Sequence, residues 1–213
     1  MWAALAAVHT ALRDYPVNIC VSACHLLVRT LQHLGFEAEM MAACATIFRR
    51  EDTSTRYADI GRWDRPPRTR ADNSTDGHAV VWTESFHRLI DPTIQQDATL
   101  AGAGADDPSM AIPAVIRAPD RDWLMHHTPA APRGPYLITW SVLPDWTYAF
   151  DPLLAGRDGE LYETAALQLA DDALIALRSA GRRRDLRQLD ALYPRLSALL
   201  AGRATLTAAD AAG

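Results

Sequence analysis

Leu5, Val8 and Leu12 step by three and four residues, and Tyr15-Pro16 follows them, so the chain opens on a helix that the proline stops. A stronger stripe comes next: Cys20, Cys24, Leu27, Leu31 and Leu34 step by four, three, four and three residues, with Asn18 placed to cap the start and Gly35 to end it. The spacing predicts one helix with Cys20 in its first turn and on its buried stripe. The apolar run from Glu37 to Phe48 reads as a strand. Residues 49–77, rich in Arg, Asp, Thr and Pro, read as a long polar connection, either a functional flap or a mobile insertion.

Two apolar runs, Ala79 to Thr83 and Phe86 to Ile90, flank Glu84-Ser85. A two-residue turn there would pair Thr83 with Phe86, Trp82 with His87 and, by continuation, His78 with Asp91. Directly opposed residues have Cβ atoms about 4.5–5.5 Å apart, within reach of an imidazole–carboxylate hydrogen bond. Glu-Ser is a poor tight-turn pair, so a longer loop is compatible, whereas a one-residue slip would send the two side chains to opposite faces. Met110 to Ile116 reads as an edge strand. Tyr136 to Trp140 and Trp146 to Phe150 read as two more, around Leu143-Pro144-Asp145. Beyond Gly159 the pattern turns helical, with one stripe of Leu167, Ala170, Leu174 and Leu177 and a second of Leu186, Leu189, Tyr193, Leu196 and Leu200, kinked or restarted at Pro194. Arg182-Arg183-Arg184 reads as a solvated turn. These elements divide the chain into a core over residues 1–152, a C-terminal helical pair over 153–203 packed on it, and a frayed tail over 204–213.

Composition narrows the chemistry. With 213 residues, 49% of them apolar and 22% charged, the chain can bury one substantial core. The net charge of −5 argues against bulk attraction to nucleic acid or anionic membrane. All 21 basic residues are Arg, which removes phosphate-binding lysines, Schiff-base lysines and Ser–Lys pairs from consideration. Three cysteines without a secreted-scaffold spacing point to reduced thiols and a cytoplasmic setting. The apolar start lacks a basic n-region, and no apolar run reaches the roughly 18–20 residues of a membrane span.

Cys20, His78 and Asp91 supply a thiol, an imidazole and a carboxylate in that order. A thiol at a helix N-terminus lies beside orphan N–H groups and the positive end of the dipole, both of which favour thiolate. Alone, such a cysteine is more often a small core residue, which is how Cys24 and Cys44 are read. His25, His33 and His87 fall on exposed or partly exposed faces. A zinc site drawing on Cys20, Cys24, His25 or Cys44 lacks a second ligand pair at recognisable spacing, so neither metal nor cofactor is expected. Trp63 with Arg62, Arg65, Arg68 and Arg70 could contact an acidic or phosphorylated substrate, although an Arg-rich loop is more often simply solvated.

The succession Cys20-Val21-Ser22-Ala23, Thr30-Leu31, Leu34-Gly35-Phe36-Glu37-Ala38, Gly77-His78-Ala79-Val80-Val81-Trp82 and Leu89-Ile90-Asp91-Pro92-Thr93 resembles the transglutaminase-like branch of the papain-like cysteine enzymes over residues 14–96. The resemblance implies an α+β fold with a nucleophile helix packed on an antiparallel sheet, Cys20 as nucleophile, His78 as base and acid, and Asp91 as the group that orients His78. For an enzyme, His78 Nδ1 is expected within hydrogen-bond reach of Asp91, with the other nitrogen facing Cys20. Where the family often carries Arg after the strand-entry Ala, this chain has Glu39. Candidates for oxyanion or substrate binding are the Cys20 backbone N–H, Asn18, Gln95 and Trp82, with Trp2 a remote one. The expected activity is acyl transfer through an acyl-enzyme, foremost hydrolysis of a peptide or amide bond. The alternatives are amide-forming acyl transfer and a non-catalytic peptide-binding module of the same fold. The expected partner is a peptide, protein or small-molecule acyl donor, with no nucleic acid and no membrane.

Overall fold

The stripe that begins at Cys20 forms the central helix. In a computed structural model that describes residues 1–12, 19–70, 75–96, 100, 108–155, 158–180 and 190–207, helix α2 spans Cys20–His33 and buries Cys20, Cys24, Leu27 and Leu31 on one side. Gly35, at φ +86°, ends it, with the Gly35 N–H donating to Gln32 and the Phe36 N–H to Leu31. Asn18, the expected cap, lies outside the described residues, and the residue preceding the helix, Ile19, makes no side-chain cap. Helix α1 (Trp2–Leu12) and the long α5 (Asp158–Ala180) pack beside α2.

Seven strands form one antiparallel sheet. They are β1 (Glu39–Arg49), β2 (Asp52–Gly61), β3 (His78–Thr83), β4 (Arg88–Asp91), β5 (Ala114–Arg117), β6 (Ala130–Arg133) and β7 (Tyr136–Val142). The order is β5-β4-β3-β1-β7-β6, and β2 takes the part of the β1 edge that β3 leaves open. The two outer strands, β5 and β6, approach each other, and Arg133 Nη2 donates across the gap to the Ile112 carbonyl at 2.6 Å. The sheet is therefore curled almost to closure. Its outer face, through Ala42, Ala79, Val81 and Ile90, packs on α1, α2 and α5. Its inner face holds a second core of Met41, Ala43, Ala45, Ile47, Val80, Trp82, Leu89, Ile138 and Trp140, joined by Leu124 of the short helix α3 (Arg121–His126). Being covered on both sides, β3 is buried at all six positions.

Three expectations are corrected. Residues 49–77 are not all connection, because 52–61 continue the sheet as β2; polar side chains suit an edge strand whose first half faces solvent. Trp146 to Phe150 is not a strand: Pro144–Phe150 coils as a 3₁₀ helix, with Pro144 in its first turn, and leads into the short helix α4 (Asp151–Leu154). That coil finishes the edge of β1 where β7 stops, since Leu143 N–H donates to the Ala42 carbonyl and Ala42 N–H to Thr147 Oγ1. His33, expected near the surface, is fully buried, with Nε2 2.9 Å from Glu163 Oε1 of α5.

Helix α5 contributes Ala166, Leu169, Ala170, Ala173 and Leu174 to the core that contains α2. Ser22 bonds Tyr162 at 2.9 Å and Arg29 bonds Glu163 at 2.7 Å, so polar contacts flank that packing. Pro194 restarts the chain as helix α6 (Pro194–Leu200), whose Arg195 Nε donates to the His33 carbonyl at 2.8 Å. Leu186 and Leu189 of the expected second stripe lie outside the described residues.

Because Leu31 is fully buried and Ile175 on α5 is 52% exposed, Leu31→Ala is expected to cost about 2–5 kcal/mol and Ile175→Ala under about 0.5 kcal/mol, measured by urea unfolding. Equal losses would contradict the packing described.

Candidate active site

The start of β3 is fixed by two glycines. Gly61, the last residue of β2, has φ +88°, and a Cβ on it would lie 2.7 Å from the Ala43 carbonyl oxygen and 2.8 Å from the His78 Cβ. Only glycine lets β2 end against the strand that begins at His78. Gly77, on the other side, fits between Pro67 and Phe150, where a Cβ would come within 2.5 Å and 2.9 Å of side-chain carbons. His78 pairs with Ala43 on β1 and is 3% exposed.

The hairpin after β3 is longer than the expected two-residue turn. Glu84–Phe86 forms a 3₁₀ turn and His87 takes a left-handed conformation at φ +52°, so the pairs are Thr83 with Arg88, Trp82 with Leu89 and Val81 with Ile90. The register differs by two residues from the one expected. Continued, it sets Asp91 opposite Val80. An even shift preserves the side of the sheet each residue faces, so His78 and Asp91 still share the inner face, now as diagonal neighbours. His78 Nε2 and Asp91 Oδ2 are 2.6 Å apart. Nε2, not the expected Nδ1, takes the carboxylate. Nδ1 is therefore the nitrogen that Asp91 does not engage. The Cys20 thiol donates to the Gly77 carbonyl at 3.8 Å and lies near enough to the imidazole to favour its charged form. The structure thus brings Cys20, His78 and Asp91 together, with Cys20 7% exposed.

Asp91, 1% exposed, receives two further donors: Trp140 Nε1 at 2.8 Å on Oδ2 and the Thr93 N–H at 3.2 Å on Oδ1. Burial alone would raise its pKa, but the charge and hydrogen bond of His78, with the Trp140 and Thr93 donors, hold it below the usual carboxylate range. Burial likewise opposes the charged imidazole, yet Asp91 and the contact with Cys20 outweigh it and raise His78 well above its ordinary value. Cys24 is pushed up by burial, with Cys20 and Asp91 adding to the effect, and Cys44 is pushed up to about 11, chiefly by burial.

The other candidates point elsewhere. Trp82 lies four residues along β3 from His78 and gives its N–H to Glu84 Oε2 at 2.8 Å. Gln95 Nε2 is engaged by the Pro92 carbonyl at 3.0 Å and by His9 Nδ1 at 3.4 Å. Trp2 is 64% exposed, and Asn18 lies outside the described residues. Glu39 pairs with Arg121 at 2.6 Å at the rim of a 330 Å³ cavity that includes Trp82. A larger cavity of 580 Å³ lies between α5, α6 and residues 202–206; neither is lined by Cys20, His78 or Asp91. Arg62 and Arg65 pair with Asp64 and Asp76, and Arg56 covers exposed Trp63. Among the described residues no group of three or more His, Cys, Asp or Glu side chains is arranged to hold a metal ion, and no helix is long and apolar enough to cross a membrane.

Trp140 and Gly61 were not singled out from sequence as parts of this site, and Thr93 stood there only as the Thr of Asp91-Pro92-Thr93. A buried tryptophan needs an acceptor for its N–H, but nothing in the order of residues names one that lies 49 positions away.

No protein family, curated protein or solved structure matches this chain.

Asp91, held low, adds stability that is complete above about pH 4 and is lost as pH falls through its folded value. His78, held high, adds stability that is complete below about pH 6.5 and is lost as pH rises through its folded value. The melting-temperature gap between the protein and Asp91→Asn is therefore expected to be widest between about pH 4 and 6.5 and to narrow on both sides. A flat gap would mean that the two residues do not fold as an ion pair.

Proposed function

We propose that the protein performs cysteine-dependent acyl transfer through an acyl-enzyme, foremost hydrolysis of a peptide or amide bond, on a fold of the transglutaminase-like, papain-like type. The observation that carries this reading is the 2.6 Å bond from His78 to the buried Asp91 carboxylate, with the Cys20 thiol beside the same imidazole. A thiol beside an imidazole that a buried carboxylate orients is what covalent thiol catalysis requires.

In this mechanism the Cys20 thiol passes its proton to His78 Nδ1, and the thiolate attacks the acyl carbon, forming the S–C bond as the carbonyl π electrons move onto oxygen. In the proposed mechanism the backbone N–H of Cys20, in the first turn of α2 where helical donors have no intrahelical acceptor, donates to that oxyanion. Collapse of the adduct breaks the C–N bond, and His78 Nδ1 returns its proton to the departing amine. Water then attacks the thioester with His78 as base, releasing the carboxylic acid and restoring the thiol. Asp91 holds the ring by Nε2 and stabilises its cationic form throughout. An amine in place of water gives the acyltransferase variant.

The 7% exposure of Cys20 favours a second reading, a module that keeps the fold and binds a peptide without turning it over. Alkylation kinetics separate the two. With iodoacetamide and mass spectrometry, Cys20 is expected to react faster at neutral pH than Cys24 and Cys44 and to lose that advantage in His78→Ala, while Cys24 and Cys44 stay inert. An inert Cys20 would sink the catalytic reading. Once a substrate is found, Cys20→Ala should abolish turnover with the melting temperature little changed; turnover that persists would move the nucleophile elsewhere.

A further inference from the structure

Asp91 and Trp140 do not lie on neighbouring strands. In the order β4-β3-β1-β7, two strands separate them, and adjacent strands are spaced about 4.8 Å apart, so a flat sheet would hold their backbones roughly 14 Å from each other. The 2.8 Å bond from Trp140 Nε1 to Asp91 Oδ2 exists because the sheet is curled and because the indole lies across its interior. The intervening strand is suited to this. On the inner face of β1 the residues beside the indole are small, with Ala45 paired to Trp140 and Ala43 paired to both His78 and Val142. Trp140 itself is fully buried, so its N–H has no access to water and spends its one donor on the carboxylate.

Both nitrogen donors converge on the same oxygen: His78 Nε2 at 2.6 Å and Trp140 Nε1 at 2.8 Å meet Asp91 Oδ2, while Oδ1 takes the Thr93 N–H. A carboxylate held by His78 and Thr93 alone could still pivot about its Cβ–Cγ bond. The indole fixes which oxygen faces the imidazole, and with it the plane in which Nδ1 is presented to Cys20. We infer that Trp140 is a positioning residue of the active site, acting on Cys20 through Asp91 and His78 from the far wall of the curled sheet. The inference rests on the reading of Cys20, His78 and Asp91 as a triad and adds a fourth member to it. Among the described residues the titratable groups that act on or feel Asp91 are His78 from β3 and Cys24 from α2.

The test separates the N–H from the bulk of the ring. Trp140→Phe removes both the donor and some volume, whereas 3-benzothienylalanine at position 140 keeps the shape and removes only the donor. Cys20 alkylation at neutral pH is expected to slow about tenfold in both, in line with loss of a hydrogen bond to a charged group. The acid limb of its pH profile is expected to move upward, because Asp91 then loses a donor that stabilises its anion and protonates at a higher pH. In an Asp91→Asn background neither change at 140 should slow the reaction further. Should Trp140→Phe fail to fold, the benzothienyl variant carries the test alone. Wild-type rates and pH profile in that variant, or equal losses with Asp91 present and in the Asp91→Asn background, would overturn the role given to Trp140 and leave the triad standing. An unaltered rate in Asp91→Asn itself would overturn both.

Discussion

A carboxylate taken out of water is among the most costly groups a fold can bury, and Asp91 is buried almost completely. The structure is arranged around meeting that cost. Its partners come from two strands and a turn: His78 from the start of β3, Trp140 from β7, and the Thr93 N–H from the bend that ends β4. These can meet only if the sheet curls. The near-closure of β5 on β6 and the small residues of β1 then follow as conditions for satisfying one charge. Removing any partner leaves part of that charge unmatched in a low-dielectric interior, which is more damaging than losing an exposed ion pair such as Arg203–Asp190.

The thiol reaches this arrangement from the other side of the sheet. Helix α2 packs on the outer face, while His78 and Asp91 belong to the inner face, so Cys20 can meet His78 only at the rim, past Gly77. That explains why the helix must be held firmly along its length. Its position is set by Leu27 and Leu31 against the sheet, by the Ser22–Tyr162 and Arg29–Glu163 contacts with α5, and by Arg195 on the His33 carbonyl at its far end. A small rotation of α2 about its axis would carry Cys20 off the rim while leaving the apolar packing nearly unchanged. The polar contacts with α5 and α6 oppose that rotation because they are directional.

The parts of this arrangement legible in the sequence are those written in local periodicity. The stripe from Cys20 to Leu34 identified α2, and the apolar runs around Glu84 identified β3 and β4, because helix and strand periods show within a few residues. The pairing of His78 with Asp91 was recovered through face parity, even though the turn was two residues longer than assumed. What remained hidden depends on curvature and long-range contact. Trp140 needs a partner three positions along the sheet order, Trp146 to Phe150 coils because β1 has an edge to finish, and His33 is covered by a helix more than a hundred residues later. Gly61 looked like an ordinary connector until β2 was found to end against His78.

Three cysteines in one small protein meet three environments, and the differences among them come from the neighbours and not from the thiol. Cys24 is one helical turn from Cys20 yet faces only apolar packing and negative charge, both of which favour its neutral form. Cys44 lies on β1 opposite Gly61, close along the strand to the Ala43–His78 pair, but its burial and the nearby Asp59 carboxylate keep it protonated. Cys20, by contrast, has an imidazole beside it, a helix N-terminus beneath it and an anion on the far side of that imidazole. Burying a carboxylate so completely would be a poor way to stabilise the sheet alone, since well-packed apolar side chains of similar volume serve as well or better. On the proposed reading that cost is offset by what Asp91 does to the imidazole, and through the imidazole to the thiol at the rim.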